Sequence, residues 1–337
     1  MKRDTRIDLF KCLLMLGVMI IHTIEHGYGF ANKLQEGIYV WNSHSILEYL
    51  LMCISSVAVN CYFLISGYYG MKYSRKKFVK FVIMMLFYSA FTYVVGVVSS
   101  VEQVSLGTVI RGVILGWRSY WFMIVYLILY LFSKVVHATL DQLEQDAYTK
   151  FLCVYFGINT ILGFVFHSNE YGSALSVLPM FMMFCVGRYI RRFQILMNRK
   201  SVFWLSIYLA TTIISLIGSI ALFSMGSQRW SYLLTIDYCS PLIVTGAIAL
   251  FAFFINIKPI KREIWSKIAP YTLAVYLMTE TVVARKWAYM FLDDFDKTLG
   301  LLSIIVYAIA LYIFAIIVEF IRSRIESKVL RVLKRVD

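Results

Sequence analysis

RIDLFKCLLMLGVMIIHTIEH, running from Arg6 to His26, is apolar enough over most of its length to cross a bilayer. It nevertheless carries Asp8 and Lys11 at its start and His22, Glu25 and His26 near its end. An anchor needs none of these, and ionisable side chains in hydrocarbon are costly enough to mark function. Lys11 and His22 are eleven residues apart, which is three helical turns plus about 20°, so both project from one face. The rise between them is about 16 Å, roughly half the hydrocarbon thickness. With the N-terminus inside, Lys11 sits at the cytoplasmic surface and His22 lies past the midplane, with Glu25 and His26 a turn beyond. An imidazole can accept a proton near neutral pH, and Glu25 is placed to orient it. The plainer alternative for His22 is a hydrogen bond within its own helix.

Composition widens this reading to the whole chain. Of 337 residues, 60% are hydrophobic and 15% charged, and the mean hydropathy is +0.73. Soluble domains run at roughly 45–50% and 25%, so lipid must be the solvent for most of this surface. Aromatic residues at 17% suit interfacial belts and packing alike. The formal charge of +14 does not point to nucleic acid, because the basic residues fall in short gaps between apolar runs. Six cysteines form no CxxC pair and read as buried, unpaired packing residues.

Runs of about 20 apolar residues, the length that spans hydrocarbon, lie near 7–29, 46–69, 78–99, 120–137, 151–167, 174–190, 202–224, 235–256, 268–285 and 300–321. The expectation is an all-α polytopic membrane protein of about ten transmembrane helices in a single domain, 1–337. Placing the N-terminus inside puts 26 of the 33 Lys and Arg residues in cytoplasmic segments and 7 outside. That bias sets both termini in the cytoplasm. A cleaved signal peptide over 1–31 would break this pattern, so the first helix is expected to stay.

Outside the first helix, Asp237, Glu280, Arg285 and Glu319 fall within or near the ends of spans, where an interfacial position explains them equally well. Arg322 is placed to pair with Glu319. His22-Thr-Ile-Glu25-His26 also spells H-x-x-E-H, a zinc-hydrolase pattern. Two imidazoles at i and i+4 can ligate zinc, but the sequence offers no third ligand, and no metal is expected.

Four stretches resemble the acyltransferase-3 family of membrane O-acyltransferases. Arg6-Ile-Asp8-Leu-Phe-Lys11, with His22 eleven residues on, is similar to the family's R-x-D-x-x-[RK] opening and its [RK]-x10-H motif. CYFLISGYYGMK (Cys61–Lys72) resembles its aromatic-x-x-S-G-[FY] helix end through Ser66 and Gly67. YWFMIVYLILYL (Tyr120–Leu131) resembles its WF-x(3)-Y-x(3)-Y helix through Trp121, Phe122, Tyr126 and Tyr130. MFCVGRYIRR (Met183–Arg192) resembles its G-x-x-[IL]-x-[RK] helix end. The likeness spans the whole chain in helix number, length and topology.

The resemblance implies a stand-alone enzyme of the cell membrane, the plasma membrane of a bacterium. It would carry an acyl group from a cytoplasmic acyl-CoA, usually acetyl-CoA, to a hydroxyl of a surface glycan or lipid-linked sugar. It implies that His22 acts at the transfer step with Lys11 as the paired basic residue, while Glu25 is expected from its position to orient the imidazole. Lys11, Lys77 and Lys80 would hold the donor's phosphates, although Lys77-Phe-Val-Lys80 replaces the family's R-x-x-R and loses the bidentate grip of arginine. Trp121, Tyr126 and Ser66 would meet the substrate, and Arg6 and Asp8 would support the helix. Thr279 and Glu280 stand where many members carry a histidine. A glycan or small-molecule transporter is the rival reading, since polar intramembrane residues serve translocation too.

Overall fold

The computed structural model describes residues 4–40, 42–168, 176–261 and 263–336. The chain is all-α, with no strand among the described residues. Its principal helices are α1 (Thr5–His22), α2 (Ser43–Ser55), α3 (Ala58–Tyr69), α4 (Arg75–Val98), α5 (Trp121–Leu140), α6 (Gln145–Ile158), α7 (Leu178–Phe193), α8 (Ser201–Ser224), α9 (Pro241–Asn256), α10 (Thr272–Thr279), α11 (Val282–Trp287) and α12 (Ser303–Val336).

Eight helical segments are long and apolar enough to cross a membrane: Thr5–Gly27, Ser43–Tyr69, Arg75–Val98, Trp121–Leu140, Gln145–Val165, Ser201–Ser224, Gln228–Asn256 and Val282–Ser327. Large apolar side chains such as Val94, Leu131, Ile213 and Ile317 point outward from them, as a lipid-facing surface requires. The protein is therefore a multi-pass membrane protein. The two remaining expected spans take other forms. Over 174–190 stands the sixteen-residue α7, and residues 174 and 175 lie outside the described residues. Over 268–285 the helix is broken. α10 stops at Thr279, and Thr281, in extended backbone, caps a fresh start by accepting the Ala284 N–H at 3.1 Å.

α1 runs through the middle of the bundle and packs against α2, α3, α9, α10 and α12. Phe10 stacks on Phe254 of α9 with ring centroids 4.2 Å apart. Arg6 donates to the carbonyls of Ile255 and Ile257 at 2.7 and 3.0 Å, and so satisfies acceptors that the C-terminus of α9 leaves open. Asp8 accepts from Ser266 at 2.6 Å. These bonds fix the inner end of α1, and with it the register of everything further along that helix. The Glu319–Arg322 pair is present at 2.6 and 2.8 Å. All six cysteines are free, but Cys153 is exposed where a buried residue was expected, because α6 turns that face outward.

The pairing of α3 with α7 explains two of the sequence motifs together. A Cβ on Gly67 would collide with the Phe184 carbonyl, and one on Gly187 would collide with the Leu64 carbonyl. The SG and VGR motifs are thus the two halves of one close backbone approach, of the small-residue kind that packs helices in membranes. Gly67→Ala or Gly187→Ala should force the helices apart at a cost of about 1–3 kcal/mol. Thermal unfolding of the detergent-solubilised chain should show a clearly lowered midpoint for each variant, and an unchanged midpoint would contradict this packing.

Candidate active site

At the outer end of α1 the helix widens into a π turn, Thr23–Gly27, closed by the Tyr28 N–H on the Thr23 carbonyl at 3.1 Å. Such turns recur at functional sites because they re-aim side chains. Here the turn follows His22 directly and holds the His22 and His26 rings with centroids 5.1 Å apart. Both rings face the break between α10 and α11, where Glu280 is only 3% exposed. Glu280 Oε2 lies 3.3 Å from His22 Nε2 and 3.7 Å from His26 Nε2, while Oε1 accepts from Arg285 at 2.8 Å.

The other His22 nitrogen decides its tautomer. Nδ1 is 2.9 Å from Thr279 Oγ1, and that hydroxyl already donates to the Val275 carbonyl at 3.0 Å. With that hydroxyl donating to the backbone its oxygen can accept, the arrangement in which Nδ1 carries the hydrogen and Nε2 presents a lone pair. Oε2 of Glu280 is buried with no well-aligned donor among the described residues. A proton that arrives on Nε2 supplies that donor and creates an imidazolium beside a carboxylate. In this arrangement Nε2 can act as a general base, with the Glu280 carboxylate beside the charge that forms. Nitrogen or oxygen atoms of His22, His26 and Glu280 also lie within 4.8 Å of one another, and these three groups could hold a metal ion.

The triad opens into a cavity of about 280 Å³ lined by Glu25, Trp121, Tyr232, Tyr238 and Tyr276. Trp121 stacks on Tyr238 at 5.5 Å. Toward the N-terminal end of α1 lies a second, inner cavity of about 430 Å³, lined by Lys11, Ser66, Lys72, Lys77, Tyr126 and Tyr130. Met15, Tyr62 and Phe122 line both. Those three side chains therefore form a waist between the two chambers. The Tyr62 side of that waist is fixed to α1 by its hydroxyl, which donates to the Lys11 carbonyl at 2.8 Å.

The structure sorts the expected site residues. Lys11 lines the inner chamber and His22 the outer one. Glu25 shares the outer chamber, and the groups that contact the His22 ring are Glu280 and Thr279, which reach it from another segment. Lys77 lines the inner chamber. Lys80 does not line it and sits 3.7 Å from Glu326 instead. Trp121 is in the outer chamber, whereas Ser66 and Tyr126 are in the inner one, so these three do not form one substrate surface. Arg6 and Asp8 stand at the inner end of α1, outside both chambers. Sequence reasoning singled out His26 without its partner Glu280, and gave no role to Lys72 or Tyr276. Its signal for Glu280 was the departure from the family pattern at that position.

A family model described as an acyltransferase domain, Acyl_transf_3, matches residues 4–321. No curated protein and no solved structure gives a match.

Removing one member of a buried charged group leaves the others uncompensated, at about 3–5 kcal/mol. Glu280→Ala should therefore lower the unfolding midpoint far more than Glu25→Gln, as read by intrinsic fluorescence on heating. Equal midpoints for the two variants would contradict the assignment of Glu280 as the partner of both histidines.

Proposed function

The chain belongs to the acyltransferase-3 family and is a membrane acyltransferase, and on that premise we propose that it is an O-acyltransferase of the bacterial plasma membrane. It moves an acyl group, most simply acetyl, from cytoplasmic acyl-CoA to a hydroxyl of a cell-surface or lipid-linked glycan. The observation that supports this reading is the pair of chambers that share Met15, Tyr62 and Phe122. A lysine-lined inner chamber suits a polyanionic donor, and a single waist separates it from a buried imidazole facing the outer side.

In this reading Lys11, Lys72 and Lys77 hold the donor's phosphates as point charges. The pantetheine arm threads the waist past Met15, Tyr62 and Phe122 and brings the thioester to His22, about 16 Å along α1 from Lys11. The acceptor hydroxyl enters the outer chamber against the Trp121–Tyr238 stack. His22 Nε2 takes the hydroxyl proton as the oxygen attacks the thioester carbonyl. Glu280 stabilises the imidazolium that forms. The C–S bond then breaks, and the thiolate leaves with the proton returned from Nε2, so that the base is restored. Thr279 holds Nδ1–H throughout and keeps the lone pair on the correct nitrogen. Glu25, in the same chamber, is positioned toward the acceptor rather than toward the imidazole.

Proteoliposomes given radiolabelled acetyl-CoA on the cytoplasmic side, together with the glycan of the producing cell, should transfer label to glycan. His22→Ala should lower that transfer at least about a hundredfold, the scale of a lost general base. Unchanged transfer would remove the assigned base. Lys11→Ala should raise the KM for acyl-CoA about tenfold with a smaller change in kcat, as expected for a group that binds the donor away from the reacting atoms. A wild-type response to donor concentration would remove Lys11 from the donor site.

A further inference from the structure

The positive-inside bias makes cations on the outer side conspicuous. Of the seven Lys and Arg residues in outer segments, Arg111, Arg118, Arg285 and Lys286 gather beside the α10–α11 break. Arg285 meets Glu280 at 2.8 Å and Lys286 meets Glu102 at 2.9 Å. Arg111 and Arg118 have no carboxylate within ion-pairing distance among the described residues, and both are exposed. With Lys286 they line an outer cavity of about 360 Å³ that shares no lining residue with the chamber of His22. The mechanism above makes no use of it.

Two further observations say what kind of anion belongs there. The segment that carries both arginines exposes Leu106, Ile110, Ile114, Leu115 and Trp117. Cations and bare apolar side chains on one short stretch place it at the outer membrane interface, at headgroup level. Trp117, the neighbour of Arg118, also heads an apolar groove of about 470 Å³ that continues between α4 and α5 along Met85, Leu127, Ile128 and Leu131. Consecutive residues thus line the two, Arg118 the cationic cavity and Trp117 the apolar groove. Two uncompensated guanidiniums at the head of a hydrocarbon-lined groove match an amphiphile with a phosphate headgroup and a long apolar tail. Guanidinium is the side chain suited to bidentate phosphate binding.

We propose that Arg111 and Arg118, with Lys286, form a subsite for the phosphate group of a lipid-linked sugar, whose tail lies in the α4–α5 groove and whose sugar reaches the chamber of His22. This inference rests on the acyl-transfer reading and names its acceptor class. It excludes as substrate a free polysaccharide already released from its lipid.

The full chain in phosphatidylcholine nanodiscs can be titrated with geranylgeranyl diphosphate, with geranylgeraniol as the neutral probe. The diphosphate should bind and the alcohol should bind at least tenfold more weakly. Arg111→Gln and Arg118→Gln should each weaken diphosphate binding about tenfold, the loss of one charge-assisted phosphate contact. Arg118→Lys should recover part of the loss, which a merely unfolded variant would not do. Inorganic pyrophosphate should displace the probe. Equal binding of alcohol and diphosphate, an unchanged affinity in the double variant, or displacement by phosphatidylglycerol at equal concentration would overturn the proposal. His22→Ala should bind the probe as wild type does. Binding is read without acyl transfer, so the failure of one reading is distinguishable from the failure of the other.

Discussion

A carboxylate buried in a membrane bundle survives only among donors and cations, and Glu280 is the point on which this structure turns. The group is expensive in hydrocarbon, and it is answered by Arg285 on one oxygen and by two imidazoles beside the other. Its position depends on the interruption between Thr279 and Val282, because an unbroken helix would carry position 280 round on a regular spiral. The interruption is in turn held by Thr281, which caps α11 and donates to Thr92 of α4 at 3.0 Å. The π turn of α1 completes the set by presenting His26 beside His22. Break, turn and charge cluster are mutually dependent, and none of them is a stable choice alone.

The rest of the fold holds this point at the right depth. Arg6 and Asp8 pin the inner end of α1, so the rise of that helix measures out the distance from the lysine-lined chamber to the imidazole. Gly67 and Gly187 let α3 and α7 approach closely, which positions Tyr62 of α3 at the waist. Charge follows the same axis. Lysines gather at the inner chamber, and the buried acid sits at the outer one. The arginines beyond it lie at the outer surface. A reaction that takes a polyanionic donor from one face and delivers its acyl group to the other needs this order.

Much of this could be read from the chain itself. Lys11 and His22 revealed their common face through a spacing that three helical turns nearly satisfy, and the Lys and Arg bias oriented the spans. What escaped reading depends on contacts between distant segments. Nothing local distinguishes Glu280, which abuts His22, from Glu25, which is a single turn away and looked like the nearer partner. Glycine motifs in α3 and α7 gave the position of each helix end but not the fact that each fits the other. Lys77 and Lys80 share a short motif, yet their places on the helix surface send one into the chamber and the other toward Glu326. The 268–285 span reads as short and interrupted, with Pro270 near its start, but the break itself falls at Glu280–Thr281, where no glycine or proline marks it.

The central claim is that one continuous passage carries the donor from the lysines to the imidazole. A structure of the full chain in a nanodisc with a non-transferable thioether analogue of acetyl-CoA tests it most directly. The account predicts the donor's phosphates among Lys11, Lys72 and Lys77, the arm between Tyr62 and Phe122, and the sulfur beside His22 Nε2. A sulfur that stays on the cytoplasmic side of the waist, or a nucleotide bound away from those lysines, would contradict it.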